Sequence, residues 1–467
     1  MDYVPNTDRD RAAMLRAIGV DSVDALFEEL LASVPEHLRH PAFNLPAGMS
    51  EPEVRRLLAA LAAKNLSLDR CPCFLGAGAY RHYSPSVVNA VISRNEFYTS
   101  YTPYQPELSQ GLLQSIYEYQ SLVCALLGMD VSNASMYDGA SALAEAVLMA
   151  CNVTGRGTIV VPDDVPPEWI KVIHSYTLGQ GLTVRQVRTW ALQDGALVRR
   201  PRAVLEALDA ETACVVLQNP GYFGWVVDPS GLAAAVHAAG ALLVASCADP
   251  VALGLLAAPG EYGADIAVAE GQSLGAGLNF GGPRVGLFAC REQFVRLMPG
   301  RIAGMTVDRE GRRGFVLTLQ TREQHIRRER ATSNLCTNEA LVALAASVYL
   351  ASMGPQGLRR VAELCYHKAH YLAEQIARVP GFALASPEPF FHEFVVRCPA
   401  PAAEVNRLLL REGIIGGYDL GRYAPELANY ALWCATELTT REEIDRAVQA
   451  LLAVSNFPSR SRSGRRC

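Results

Sequence analysis

Lysine is nearly absent. Of the 42 Lys and Arg residues only three are lysine, Lys64, Lys171 and Lys368. Chemistry that needs a side-chain amine to form an imine has no other candidates, because a guanidinium stays protonated and delocalised. Lys64 and Lys171 lie in helical patterns, Lys368 falls in the later helical region, and none adjoins a glycine-rich loop. An excess of positive charge is missing too: the formal net charge of -5 gives no reason to expect nucleic acid as a partner. No apolar run reaches the ~18 residues of a membrane span, since the Ala-rich stretches at 231–245 and 340–351 are each interrupted by polar or Gly residues. The opening residues carry acids and no continuous apolar segment, so neither a secretory signal nor an acid-poor transit peptide is expected, and the protein is expected in the cytoplasm. Zinc spacing is lacking as well. The 12 cysteines are scattered, several of them (Cys124, Cys151, Cys214, Cys247, Cys290) inside apolar patterns that suit buried reduced thiols. Only Cys71 and Cys73 lie close together, without a second pair, and His367 with His370 flanks Lys368 on what reads as an exposed helix face. No metal site is expected.

What is present is a globular composition. With 467 residues, 50% hydrophobic and 19% charged, the chain is large enough for two domains with a sizeable core. Residues 1–70 read as a helical arm of the kind that embraces a partner subunit: Thr7 or Asp8 opens one helix, Ser22 another, and Ser50 with Glu53 forms a capping box ahead of a third. FLGAGAYRHYSP (Phe74 to Pro85) is Gly-rich but lacks the third glycine and the strand-to-helix setting of a dinucleotide loop. The loop Thr99 to Gly111, with two prolines and the close set Tyr101, Thr102 and Tyr104, reads either as a buried turn or as the wall of a site at an interface. A long core helix follows, closed by Gly128.

From Asn133 to Arg291 apolar strands (TIVVP, LTVRQVRT, ACVVLQNP, ALLVASC, DIAVAEG, VGLFACR) alternate with helical segments. That alternation predicts an α/β fold, a mainly parallel central sheet covered on both faces. Ligands on such sheets sit at the carboxyl ends of the strands, where Gln218 to Gly221, Ser246 and Gln272 to Ser273 fall. Between the last two strands lies Gly271 to Pro283, with five glycines and a proline. Residues 71–335 form the expected large α/β domain and residues 336–454 a smaller α+β domain with a long linking helix. The basic stretch 455–467 reads as a disordered tail.

Three motifs, EYGADIAVAEGQSLGAGLNFGGPRVGLFACR (Glu261 to Arg291), TSYTPYQPELSQG (Thr99 to Gly111) and TREQHIRRERATSN (Thr321 to Asn334), closely resemble the glycine cleavage system P protein. Within that family the chain is most similar to the separate first (alpha) subunit of the two-subunit form. The likeness runs from about Asp8 to about Val454, and GGYDLGRY (Gly416 to Tyr423) belongs to it. It implies the aminotransferase-like fold of pyridoxal phosphate (PLP)-dependent transferases, type I. Laid against the catalytic half of the family, Ser273 stands where the Schiff-base lysine is found, Gln272 where its preceding histidine is found, and Ser246 where the cofactor-ring aspartate is found. The resemblance therefore implies a vacant pocket: no cofactor held by this chain, and PLP in a partner subunit. Asp138, where a helix begins, is an ordinary N-cap that also supplies the negative charge a phosphate would bring.

By the same resemblance the partner decarboxylates glycine and passes the aminomethyl group to the lipoyl arm of the H protein, in an assembly of α2β2 type. Tyr101, Thr102, Tyr104 and Gln105 are the implied substrate-side wall, and Thr332, Ser333 and Asn334 the implied contacts to the partner's cofactor phosphate. His82 and Tyr83 are placed near the subunit interface. No residue of this chain is assigned as acid, base or nucleophile. Two rivals stand beside this reading: a purely structural or regulatory scaffold, and a separate enzyme with Ser273 as nucleophile, which lacks a G-x-S-x-G elbow.

Overall fold

The computed structural model describes residues 5–39 and 44–455, so the basic stretch beyond Ser455 lies outside the described residues. The chain divides into two compact units, Met1–Leu66 and Ser67–Cys467. The first is helical. Thr7 and Asp10 cap each other's backbone at the start of helix Asp8–Ile18, and Ser50 with Glu53 does the same for Glu51–Ala62. The second helix carries Val54, Leu57, Leu58 and Leu61 exposed along one side.

The second unit is built on strands β1 (Val131–Ser132), β2 (Thr158–Pro162), β3 (Thr183–Val187), a hairpin of β4 (Trp190–Gln193) and β5 (Ala196–Arg199), β6 (Thr212–Gln218), β7 (Leu242–Cys247), β8 (Ile266–Glu270) and β9 (Gly286–Cys290). The central sheet has the order β1-β9-β8-β7-β6-β2-β3. Pairs from β3 through β8 are parallel, while β9 runs antiparallel to both β8 and β1. Each inner strand is a continuous apolar run because both its faces are covered. Val215, Leu243, Ala245 and Ala267 point to one face, under helices Gln110–Leu127 and the span from Ala340. Cys214, Val216, Val244, Ile266 and Val268 point to the other, under helices Gly139–Thr154 and Pro167–Thr177.

A second hairpin pairs β10 (Ile302–Val307) with β11 (Arg313–Thr318). A smaller antiparallel sheet, order β12-β13-β15-β14, is formed by β12 (Ala383–Leu384), β13 (Glu393–Arg397), β14 (Tyr418–Asp419) and β15 (Tyr430–Cys434). The helical span Ala340–Ala377 is long and apolar enough to cross a membrane, but half of its most apolar stretch is buried inside the fold. It is also broken at Gly354 (φ 60°, ψ -179°) ahead of Pro355, where the chain cannot continue a helix.

Candidate functional site

The carboxyl ends of β6, β7 and β8 meet the amino end of helix Gly139–Thr154. Asp138 Oδ1 accepts from Ser141 N at 2.7 Å, the cap read from the sequence. The first helical N–H is taken as well: Gly139 N donates to Glu270 Oε2 at 3.0 Å, and Gln272 N donates to Glu270 Oε1 at 3.0 Å. Glu270, the last residue of β8, is 3% exposed, and burial pushes its carboxyl up to about 7 against the pull of the Gly139 N–H and of Arg284, 3.6 Å away. Trp169 closes the cup from the side, for a Cβ on Gly139 would stand 2.5 Å from its ring. The remaining cleft sets Asp138, Glu168 and Glu270 against Arg284 alone.

Ser273 lies in the turn Gly271–Ser273 directly after β8, 3% exposed, and its Oγ has no hydrogen-bond partner. A hydroxyl with no base beside it is not an activated nucleophile. Gln272 is buried beside it, accepting from Tyr80 N at 3.2 Å and donating to Gly277 O at 2.8 Å. Ser246, next to last in β7, has its Oγ donating to Gln218 Oε1 at 2.6 Å.

Asp249, three residues beyond Ser246, places a carboxylate beside the same end of β7, 2% exposed. His82 Nε2 lies 3.0 Å and His392 Nε2 2.9 Å from Asp249 Oδ2. Burial opposes ionisation of Asp249, but the two imidazoles outweigh it and hold the carboxyl far below its usual range. His82 is buried, and its Nδ1 also lies 2.7 Å from Glu437 Oε2; burial disfavours its charge, and the two carboxylates outweigh that and raise its pKa. Tyr83 is exposed. Beside them Tyr80 Oη donates to Glu393 Oε2 at 2.7 Å.

The loop of Tyr101, Thr102, Tyr104 and Gln105 is not a buried turn: Tyr101 is 77% exposed, and Tyr104 and Gln105 are exposed beside it. Buried Arg301 clamps it, Nη2 donating to Tyr104 Oη at 3.0 Å and to Cys336 O at 2.9 Å, with His325 edge-on to the tyrosine ring. The structure thus brings two of the singled-out motifs together. Within the second, Ser333 Oγ donates to Glu145 Oε1 at 2.8 Å, Thr332 Oγ1 to Arg322 O at 3.3 Å, and Asn334 is exposed. Sequence reasoning missed Arg301, Glu270 and the His82–Asp249–His392 group; the buried acid at the end of the DIAVAEG strand was the one available signal.

The sequence pattern described as Glycine cleavage system P-protein matches residues 1–451. The chain belongs to that family. The probable glycine dehydrogenase (decarboxylating) subunit 1 of Thermomicrobium roseum is 53% identical over 455 residues, 97% of this chain and 99% of the relative. A crystal structure of glycine decarboxylase (P-protein) of the glycine cleavage system, in inhibitor-bound form, is 44% identical with a TM-score of 0.87, covering 97% of this chain and 100% of that one. A C-DES mutant with glycine covalently linked to its PLP cofactor has a TM-score of 0.60 at 14% identity, over 82% of this chain and 97% of that one, a likeness of fold alone. The P-protein chain therefore has the type I fold of PLP-dependent enzymes, as its motifs implied. Its residues do not fit the cofactor. The helix N–H that a phosphate needs is held by Glu270, carboxylates line the cup, Asp249 is engaged by two imidazoles, and the lysines lie elsewhere: Lys64 is exposed, Lys171 pairs with Glu168 at the surface, and Lys368 donates to Glu437 O.

Proposed function

We propose that this chain is the half of a heteromeric glycine decarboxylase that holds no cofactor of its own, working with a second P-protein subunit that bears the lysine and PLP. The observation that supports this reading is the cup at the end of β8, where Glu270 takes the Gly139 N–H and Trp169 packs against Gly139 at the helix N-terminus. When bound in the partner, PLP supplies the electron sink for loss of carbon dioxide. This chain's contribution is surface. The exposed loop Tyr101 to Gln105, held by Arg301, forms a wall on the substrate side of the partner's site, and Thr332, Ser333 and Asn334 complete its phosphate contacts. Such walls orient the substrate and exclude water from a reactive carbanion. The aminomethyl group then goes to the lipoyl arm of the H protein, in a cytoplasmic α2β2 assembly.

The test is reconstitution. Purified alone, the chain gives no glycine decarboxylation; mixed with a lysine-bearing second subunit and lipoylated H protein, it restores turnover that neither shows by itself. Decarboxylation by the chain alone would sink the proposal. Tyr104→Phe removes the acceptor for Arg301, and with Ser333→Ala it lowers turnover by about 10- to 100-fold if the wall is formed as described. Full rates in both variants favour the scaffold reading instead.

A further inference from the structure

The buried group around Asp249 is not used by the role proposed above. His82 and Asp249 have side chains 2% exposed and His392 one 3% exposed. Their donor atoms, two imidazole Nε2 and one carboxylate oxygen, lie within 4.8 Å of one another. His392 Nε2 stands 2.9 Å from Asp249 Oδ2 yet off the line on which an N–H donates, so this buried nitrogen makes no hydrogen bond. In folded proteins such an atom calls for an occupant. Metal–ligand lengths of about 2.0–2.2 Å in a tetrahedral site put ligand atoms about 3.3–3.6 Å apart, so the 2.9 and 3.0 Å contacts need open by only about half an ångström to admit an ion.

Two further features belong to a metal site. His82 Nδ1 lies 2.7 Å from Glu437 Oε2, and a carboxylate that accepts the Nδ1 proton leaves Nε2 as the ligating nitrogen. A narrow pocket opens on Asp249 and His392, with Gln218 and Tyr222 also in its wall and room for little more than one water-sized particle. Two nitrogens and one oxygen suit zinc or cobalt rather than magnesium or calcium, which take oxygen ligands.

We propose that His82, Asp249 and His392 form a binding site for one divalent transition-metal ion of the zinc type, with Glu437 holding His82 in the ligating tautomer. This inference rests on no assumption about glycine turnover.

The experiment takes the full chain, stripped with chelator and titrated with Co2+ and then Zn2+, followed by visible absorption and equilibrium dialysis. One ion per chain and cobalt d–d bands that zinc abolishes are expected. His392→Ala weakens binding by at least ~100-fold, and Glu437→Gln by about 10- to 100-fold, the range for a second-sphere partner. His370→Ala, which alters the surface pair His367 and His370, leaves it unchanged. Absence of stoichiometric cobalt binding to the folded wild-type chain overturns the proposal whatever the variants do. So does binding kept in His392→Ala and lost in His370→Ala.

Discussion

Glu270 shows what one buried acid does to the chain's pH response. Its carboxyl is held at about 7 in the fold against an ordinary 4.5. Between those values the native state keeps a proton the unfolded chain has released, so stability present below pH 4.5 is lost as pH rises to 7, by up to ~3 kcal/mol. Glu270→Gln keeps an acceptor oxygen and cannot ionise. Its melting temperature relative to wild type should therefore rise between pH 5 and pH 8; a difference that stays flat would mean the carboxyl titrates normally. Ser333 offers a second test at this scale. Its hydroxyl supplies a bond to Glu145, which burial has raised to about 7, so Ser333→Ala should cost about 1 kcal/mol in chemical denaturation. Individual residues were also where the sequence was hardest to read. The buried carboxylate of Asp249 follows the end of β7 in a turn, where strand periodicity no longer says which side chains point inward. His82 and His392 meet only through tertiary packing, and nothing in their local sequence marks them as partners.

Elements were far more legible. The segments from TIVVP to VGLFACR all became strands of one sheet; in the inner strands burial on both faces demands the continuous hydrophobicity that identified them, while LTVRQVRT, partly exposed, forms the edge. The hairpins β4–β5 and β10–β11 were missed. Their residues are only partly buried, so they lack that signature, and β10–β11 lies in an Arg-rich segment that reads as a solvated face. The break in Ala340–Ala377 was readable from the Gly354-Pro355 pair. Its geometry, φ 60° and ψ -179°, belongs to a region essentially confined to glycine. Gly354→Ala meets no neighbour within 4 Å, so its cost isolates backbone strain: a loss of about 1–3 kcal/mol is expected in equilibrium unfolding, and a neutral substitution would show that the two half-helices can straighten.

At the scale of the molecule, the scarcity of amines decides what the chain can hold. Of its three lysines, Lys64 is exposed, Lys171 pairs with Glu168 on a surface helix, and Lys368 is tied to the backbone of Glu437. Treatment of the isolated chain with one equivalent of PLP and borohydride should leave no stoichiometric lysine adduct by peptide mass mapping. A single labelled lysine at full occupancy would contradict the misfit of pocket and cofactor.

The carboxylate seated on the helix at Gly139 has one more consequence. A receptacle filled by a tethered group cannot be emptied by dilution, so the chain's folding owes nothing to mass action with any phosphate-bearing ligand. Its thermal midpoint should stay fixed as free PLP rises from none to large excess, where a holoenzyme's would climb. Under the division of labour proposed above, this half of the assembly would fold without waiting on cofactor supply.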